Sequence, residues 1–308
     1  FAIAVLDLHG DAPKLAQTLE SLGETLYREL AIVVLSASPS LARTVAGALP
    51  VLSVAPGELA LRLNELLEGG DFDWLMQVRA GETFTASGLQ MVALELLAAG
   101  AQTGVRAVYG DGLVCSADGG LSALFRPGFN LDYLLSFPAG MAGHWLLRRD
   151  ILLEAGGFDS ASGDAFELDM LLRLIERGGL DGLAHIDEPL VITAAPILQD
   201  SPDEGAAILR HLTRRGYQAQ LLPYLPGRYR IHYGHQAQPL VSIIIPTKDQ
   251  LPMLQRCVES LLEKTRYPHY ELLIVDNNSE TPEACEWLAG VEALADDKVR
   301  VLRDDFPG

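Results

Sequence analysis

Polar residues able to do chemistry gather at a few points in an otherwise apolar sequence. Glu167 and Asp169 stand two apart where a stretch with helical spacing begins. A carboxylate so placed either takes a proton from an attacking hydroxyl or favours the positive end of a helix dipole, and Asp169 also has Arg148, Arg149 and Arg173 as prospective ion-pair partners. Thr247, Lys248 and Asp249 follow one apolar run, and Asp276, Asn277, Asn278 and Ser279 follow another. An Asp beyond the end of a parallel strand can accept hydrogen bonds from a base N–H or a ribose hydroxyl. Arg79, at the end of a further apolar run, either binds a diphosphate directly or is a solvated loop residue. His144 and Trp145 either offer aromatic faces to a sugar ring or place an indole in the core. Asp111, flanked by Gly110 and Gly112, fits a turn as well as it fits an acidic site.

These residues belong to an internal repeat. Residues 1–22 align without a gap on residues 240–261, and both segments close on the same Glu-Ser-Leu, at Glu20 and at Glu259. With two extra residues allowed in the later copy, 30–38 falls on 271–279, which sets Leu35 against Asp276. Each copy then reads strand, loop, helix, strand, the opening of a parallel α/β domain. The later copy is equipped to hold a ligand. The earlier one, with Asp7, Leu8, His9 and Gly10 and then Leu35, Ser36, Ala37 and Ser38 at the matching places, is stripped.

Strand-like runs at 2–6, 31–35, 51–54, 74–78 and 107–109 alternate with helical patterns. That alternation predicts a mostly parallel sheet with helices on both faces. Residues 110–138 read as short, loop-rich pieces. Helices are expected at 149–154 and 165–177, the second with Leu168, Leu171, Leu172 and Ile175 on one stripe. Ser201 and Pro202 start another helix that runs to about Arg215. The domains read as 1–194, a helical and extended linker over 195–238, and the beginning of a second domain over 239–308.

Composition narrows the function. A net charge of −18 and a pI near 4.7 argue against a nucleic-acid phosphate binder and against anionic membrane surfaces. No apolar run approaches the ~20 residues of a spanning helix, a basic leader is missing, and Phe1 in place of Met suggests a piece of something longer. Cys115, Cys257 and Cys285 are widely spaced, which predicts buried, reduced thiols and a cytoplasmic setting, extended to peripheral attachment at the inner face of the membrane.

Residues 241–280 resemble the opening of family-2 glycosyltransferases, whose GT-A fold begins with a nucleotide-binding half. The resemblance implies that Thr247, Asp249, Asp276 and Asn278 contact the nucleotide, with Lys248 standing where an aromatic is usual. Residues 61–84 resemble the stretch leading to that family's metal-binding Asp-x-Asp. Residues 143–174, with Gly156, Gly157, Phe158 and Asp159, resemble its acceptor side. There the resemblance places a catalytic base at Glu167, with Asp169 two residues on, and His144 and Trp145, whose aromatic faces suit sugar rings, are the candidates to line an acceptor groove. Where the family has carboxylates this chain has Arg79, Ala80 and Gly81, so the resemblance gives Arg79 to the diphosphate and leaves residues 1–194 without a metal ligand or cofactor. Mg²⁺ or Mn²⁺ is expected only for a complete second domain. The expected function is inverting transfer from a nucleotide-diphosphate sugar to a glycan, lipid-linked or protein acceptor, this chain alone being inactive. The alternative is a non-catalytic module that binds acceptor or acts as scaffold.

Overall fold

The computed structural model describes residues 1–100, 104–116, 118–222, 224–234, 237–294 and 296–303. The chain forms two compact units, Phe1–Gly234 and His235–Gly308. In chain order the first unit contains β1 (Ala2–Asp7), α1 (Ala12–Glu24), β2 (Ala31–Ser36), α2 (Pro39–Ala46), β3 (Val51–Ser53), α3 (Leu59–Gly69), β4 (Trp74–Arg79), β5 (Thr83–Phe84), α4 (Gly88–Ala99), β6 (Ala107–Cys115) and β7 (Leu121–Leu124). There follow α5 (Leu131–Ser136), β8 (Trp145–Arg148), α6 (Arg149–Glu154), α7 (Phe166–Gly178), β9 (Leu183–Ala194) and α8 (Pro202–Arg214).

The strands form one sheet in the order β3-β2-β1-β4-β8-β6-β9-β5, with β7 beside β6. β1 to β4 run parallel, and β8 is antiparallel to both β4 and β6. All six residues of β1 are buried, as expected for a parallel strand covered on both faces. Ala2, Ala4 and Leu6 pack with Leu63 of α3 and Leu171 of α7, while Ile3 and Val5 pack with Leu15 and Leu22 of α1. The α7 stripe of Leu168, Leu171, Leu172 and Ile175 is buried as its spacing predicts.

Three expectations change. β6 continues to Cys115 and pairs with β7 and β9, so Asp111 lies in a strand and not in a turn. Gly110 is admitted there because a Cβ would meet the Glu188 carbonyl oxygen at 2.7 Å, beside the bulge where β6 and β9 shift register. Cys257 is exposed and Cys115 and Cys285 are only partly buried. The segment read as a linker folds against the first unit: α8 starts on a Ser201 cap and buries Ala207, Ile208 and Leu212 in the same core as α7. The hairpin of β10 (Gln220–Leu222) and β11 (Arg230–His232) follows it.

The second unit is β12 (Val241–Thr247), α9 (Leu251–Lys264), β13 (Tyr270–Asp276), α10 (Pro282–Leu294) and β14 (Val299–Arg303), a three-stranded parallel sheet in the order β12-β13-β14. Its opening repeats the first unit's. Ala2 faces Ala31 and Asp7 faces Ser36, just as Val241 faces Tyr270 and Thr247 faces Asp276, with the same spacing in both copies. Ala37 N donates to Asp7 O at 3.0 Å, and Asn277 N donates to Thr247 O at 2.8 Å. The two-residue insertion expected from the alignment is therefore absent from the strand pairing, and Ser36, not Leu35, holds the place of Asp276. Among the described residues no helix is long and apolar enough to cross a membrane.

Candidate functional site

In the first unit the carboxyl end of β4, the segment before β8 and the first turn of α7 converge. Arg79 ends β4 beside Leu6 of β1. The chain then turns tightly: Gly81, at φ +101°, donates from its N–H to Thr18 Oγ1, and Glu82 N donates to Arg79 O. That turn folds Glu82 back, so that its Oε2 accepts from Arg79 N at 2.7 Å and lies 2.9 Å from His144 Nε2. His144 sits at φ +62°, a left-handed conformation that non-glycine residues rarely adopt. Burial pushes the Glu82 carboxyl up, but the His144 imidazole and the Arg79 N–H outweigh it and hold the group below its ordinary range.

Glu167 enters from the first turn of α7, and its Oε2 lies 3.7 Å from an Arg79 Nη. Burial raises its pKa above the ordinary carboxylate range, against the opposing charges of Arg79 and Arg126. Arg126 is buried, donates from Nη1 to Gly143 O, and has its backbone N–H held by Asp111 Oδ1. His185 lies 3.1 Å from the same Asp111 oxygen. Arg126 and His185 carried no distinguishing mark in the sequence: an Arg before Pro-Gly and a His in a mixed strand are ordinary surface text.

The other candidates of this unit point elsewhere. Asp169 is buried between α7 and α8, with Arg173 Nε at 2.8 Å and an Arg210 Nη at 3.1 Å. Trp145 is in the core, donating from Nε1 to Met141 O and packed 4.4 Å from the Tyr109 ring. Gly157 and Phe158 are gripped by Asn64, which accepts from Phe158 N at 2.7 Å and donates to Phe158 O at 2.9 Å. A Cβ on Gly157 would stand 2.3 Å from the Asn64 side chain. The structure thus brings Arg79, His144 and Glu167 together and leaves Asp169 and Trp145 in the packing.

In the second unit Thr247 and Asp276 are paired at the strand ends. Ser279 joins them to Asp249: Asp249 N donates to Ser279 Oγ, and Ser279 donates from both N and Oγ to Asp276 Oδ1. Arg303 donates to the other Asp276 oxygen. Burial raises the Asp276 carboxyl, but Ser279 and Arg303 together bring it below the ordinary range. Asp249, at φ +59°, gathers Glu280 N, Thr281 N and Thr281 Oγ1 on one oxygen, while Asn278 is exposed at φ +54°. The loops are preformed by these acids, and among the described residues Asp276 keeps a single unfilled acceptor position, on the oxygen facing Arg303.

A divalent cation needs several carboxylate or carbonyl oxygens turned toward one point. The first unit does not fit one, because a guanidinium stands at the strand end and Glu82 is committed to His144. In the second unit Asp276 is committed to Ser279 and Arg303 and one oxygen of Asp249 to loop N–H groups, so the described carboxylates do not converge on one point. Among the described residues no group of three His, Cys, Asp or Glu side chains could hold a metal.

Residues 242–307 match the family described as Glycosyl transferase family 2. The O-antigen biosynthesis protein RfbC of Myxococcus xanthus is 33% identical over 320 residues, 98% of this chain and 22% of that protein. An uncharacterized protein, y4gI, of Sinorhizobium fredii is 33% identical over 198 residues, 60% of this chain and 22% of its own length. The chain therefore spans under a quarter of either relative. Among solved structures, S. aureus TarS 1-349 in complex with UDP-GlcNAc superposes with a TM-score of 0.51 at 11% identity, covering 70% of this chain and 66% of that one. A longer TarS structure gives a TM-score of 0.50 at 11% identity, covering 69% and 39%. At that identity the likeness is one of fold.

Proposed function

Because residues 242–307 belong to glycosyl transferase family 2 and the first unit has the GT-A fold, we propose that the protein transfers sugar from a nucleotide-diphosphate donor to a glycan, lipid-linked or protein acceptor in surface polysaccharide or glycoprotein assembly. Transfer with inversion is the reaction: an acceptor oxygen attacks the anomeric carbon as its bond to the diphosphate oxygen breaks, and a carboxylate takes the hydroxyl proton. The compartment proposed is the reducing cytoplasm, in keeping with three unpaired cysteines.

Transfer is assigned to the second unit when complete, with Thr247, Asp249, Asp276 and Asn278 facing the nucleoside. Mg²⁺ or Mn²⁺, where such a unit binds it, would neutralise the diphosphate leaving group; the described residues of this chain do not fit that ion. The first unit is assigned a non-catalytic role, holding acceptor at His144 and Glu167. One observation carries the division: Arg79 occupies the end of β4 and pairs with Glu167, so the first unit has neither the ligands for a cation nor a base free of a counter-charge.

The test is nucleotide-sugar turnover by the whole natural protein. Asp276→Ala is expected to raise the donor KM at least about tenfold, the effect of one lost charge-assisted hydrogen bond, while Arg79→Ala leaves the donor KM as it was. The opposite pattern would assign the donor to the first unit.

A further inference from the structure

Most polar groups at the strand ends of the first unit are spent internally. Glu82 holds His144, Asp111 holds Arg126 N and His185, and Asp7 takes Ser36 Oγ and Asp11 N. Two side chains are not spent. The Arg79 guanidinium is 54% exposed, and among the described residues it makes no hydrogen bond. Its separation from Glu167 is beyond hydrogen-bonding reach. Glu167 is 15% exposed and likewise has no hydrogen-bond partner among the described residues. Arg126 adds a second positive charge that acts on Glu167, with its own Nε buried and unpartnered.

We infer that Arg79 and Glu167 form a binding site for an acidic sugar residue of the acceptor glycan, the guanidinium taking the ring carboxylate and Glu167 a neighbouring hydroxyl. A guanidinium has five donors in a fixed fork and no acceptor, which a carboxylate's two oxygens satisfy and a lone hydroxyl does not. A carboxyl held toward neutrality by burial can accept from a sugar hydroxyl or donate to one. A diphosphate fits less well. It brings more than one negative charge beside Glu82, where Arg126 is buried and Arg79 is the exposed guanidinium, whereas a single carboxylate is matched by Arg79 alone. The overall charge of −18 does not forbid this, because charges beyond ~8 Å are largely screened at physiological ionic strength.

The inference rests on the proposal that the first unit holds acceptor. The probes are methyl β-glucuronide, methyl β-glucoside and metal-free UDP, each titrated into the 308-residue chain by ligand-observed NMR. The glucuronide is expected to bind about tenfold or more tighter than the glucoside, and Arg79→Gln to remove that preference. Glu167→Gln, which keeps an acceptor oxygen, should preserve it, and circular dichroism of each variant reports folding. Equal affinity for the two glycosides would overturn the acidic-sugar inference and leave the acceptor proposal standing. No binding of either would sink both. Tighter binding of UDP than of the glucuronide, lost in Arg79→Gln, would make this a donor diphosphate site.

Discussion

Arg79 and Glu167 approach to 3.7 Å from two elements remote in sequence, the end of β4 and the first turn of α7. Among the described residues Glu167 has no other ion pair, and burial shifts it toward the neutral acid. A carboxyl whose folded pKa is raised contributes stability fully below its unfolded value, ~4.3, and that contribution is lost as pH rises through the folded pKa. Glu167→Gln should therefore raise Tm at pH 7 and leave it nearly unchanged at pH 4. A lower Tm at pH 7 would show that the Arg79 pair outweighs the cost of burial.

Asp169 has the opposite sign. Burial raises its pKa, but the hydrogen bonds from Arg173 and Arg210 outweigh burial and lower it. Its contribution is present above the unfolded value, ~3.9, and is lost as pH falls through the folded pKa. Asp169→Ala removes the buried carboxylate that Arg173 and Arg210 share, at a cost of up to about 3 kcal/mol at pH 7 and less in acid. Chemical denaturation at both pH values checks this, and a loss independent of pH would contradict it.

Asn64 tests the packing beneath the site. Its amide bonds both backbone groups of Phe158, so Asn64→Ala leaves two partly buried backbone groups unpaired. The expected destabilisation is about 2–3 kcal/mol, read by denaturant unfolding, and Asn64→Asp should recover only part of it because a carboxylate cannot donate to Phe158 O.

The second unit's sheet is covered on one face only. Ile244 is 64% exposed on β12, whereas every residue of β1 is buried. Ile244→Asp should shift the stability of this chain by no more than ~0.5 kcal/mol, while Ile3→Asp unfolds the first unit. If Ile244→Asp proves as damaging as Ile3→Asp, the outer face of β12 is covered in solution.

The sequence made the strand–helix alternation legible, because β1, β2 and β4 are apolar runs closed by turn residues and α7 carries a clean stripe. Strand register was not legible. Within an apolar run the letters look alike whichever way they slide, and only the ladder hydrogen bonds, such as Ala37 N to Asp7 O and Asn277 N to Thr247 O, fix the pairing. At the paired strand ends the acid lies on different strands in the two copies: Asp7 faces Ser36 in one, and Thr247 faces Asp276 in the other. The neighbours of Glu167 were partly visible, through Arg79 and His144. Arg126 was not, because a buried arginine is made by tertiary packing and not by its own text. The same holds for Asp169, whose second partner, Arg210, lies on a helix the sequence assigned to a linker.

The central claim is that the first unit performs no transfer. Donor hydrolysis and transfer, with UDP-sugars and Mn²⁺ present, should be followed for this chain, for Glu167→Gln and for Arg79→Ala. No turnover is expected from any of them, since among the described residues the end of β4 offers no metal ligands and only the single charge of Arg79, already beside Glu167, to meet the leaving-group charge. Turnover in the unaltered chain that disappears in both variants would make the first unit an enzyme, and would contradict the account.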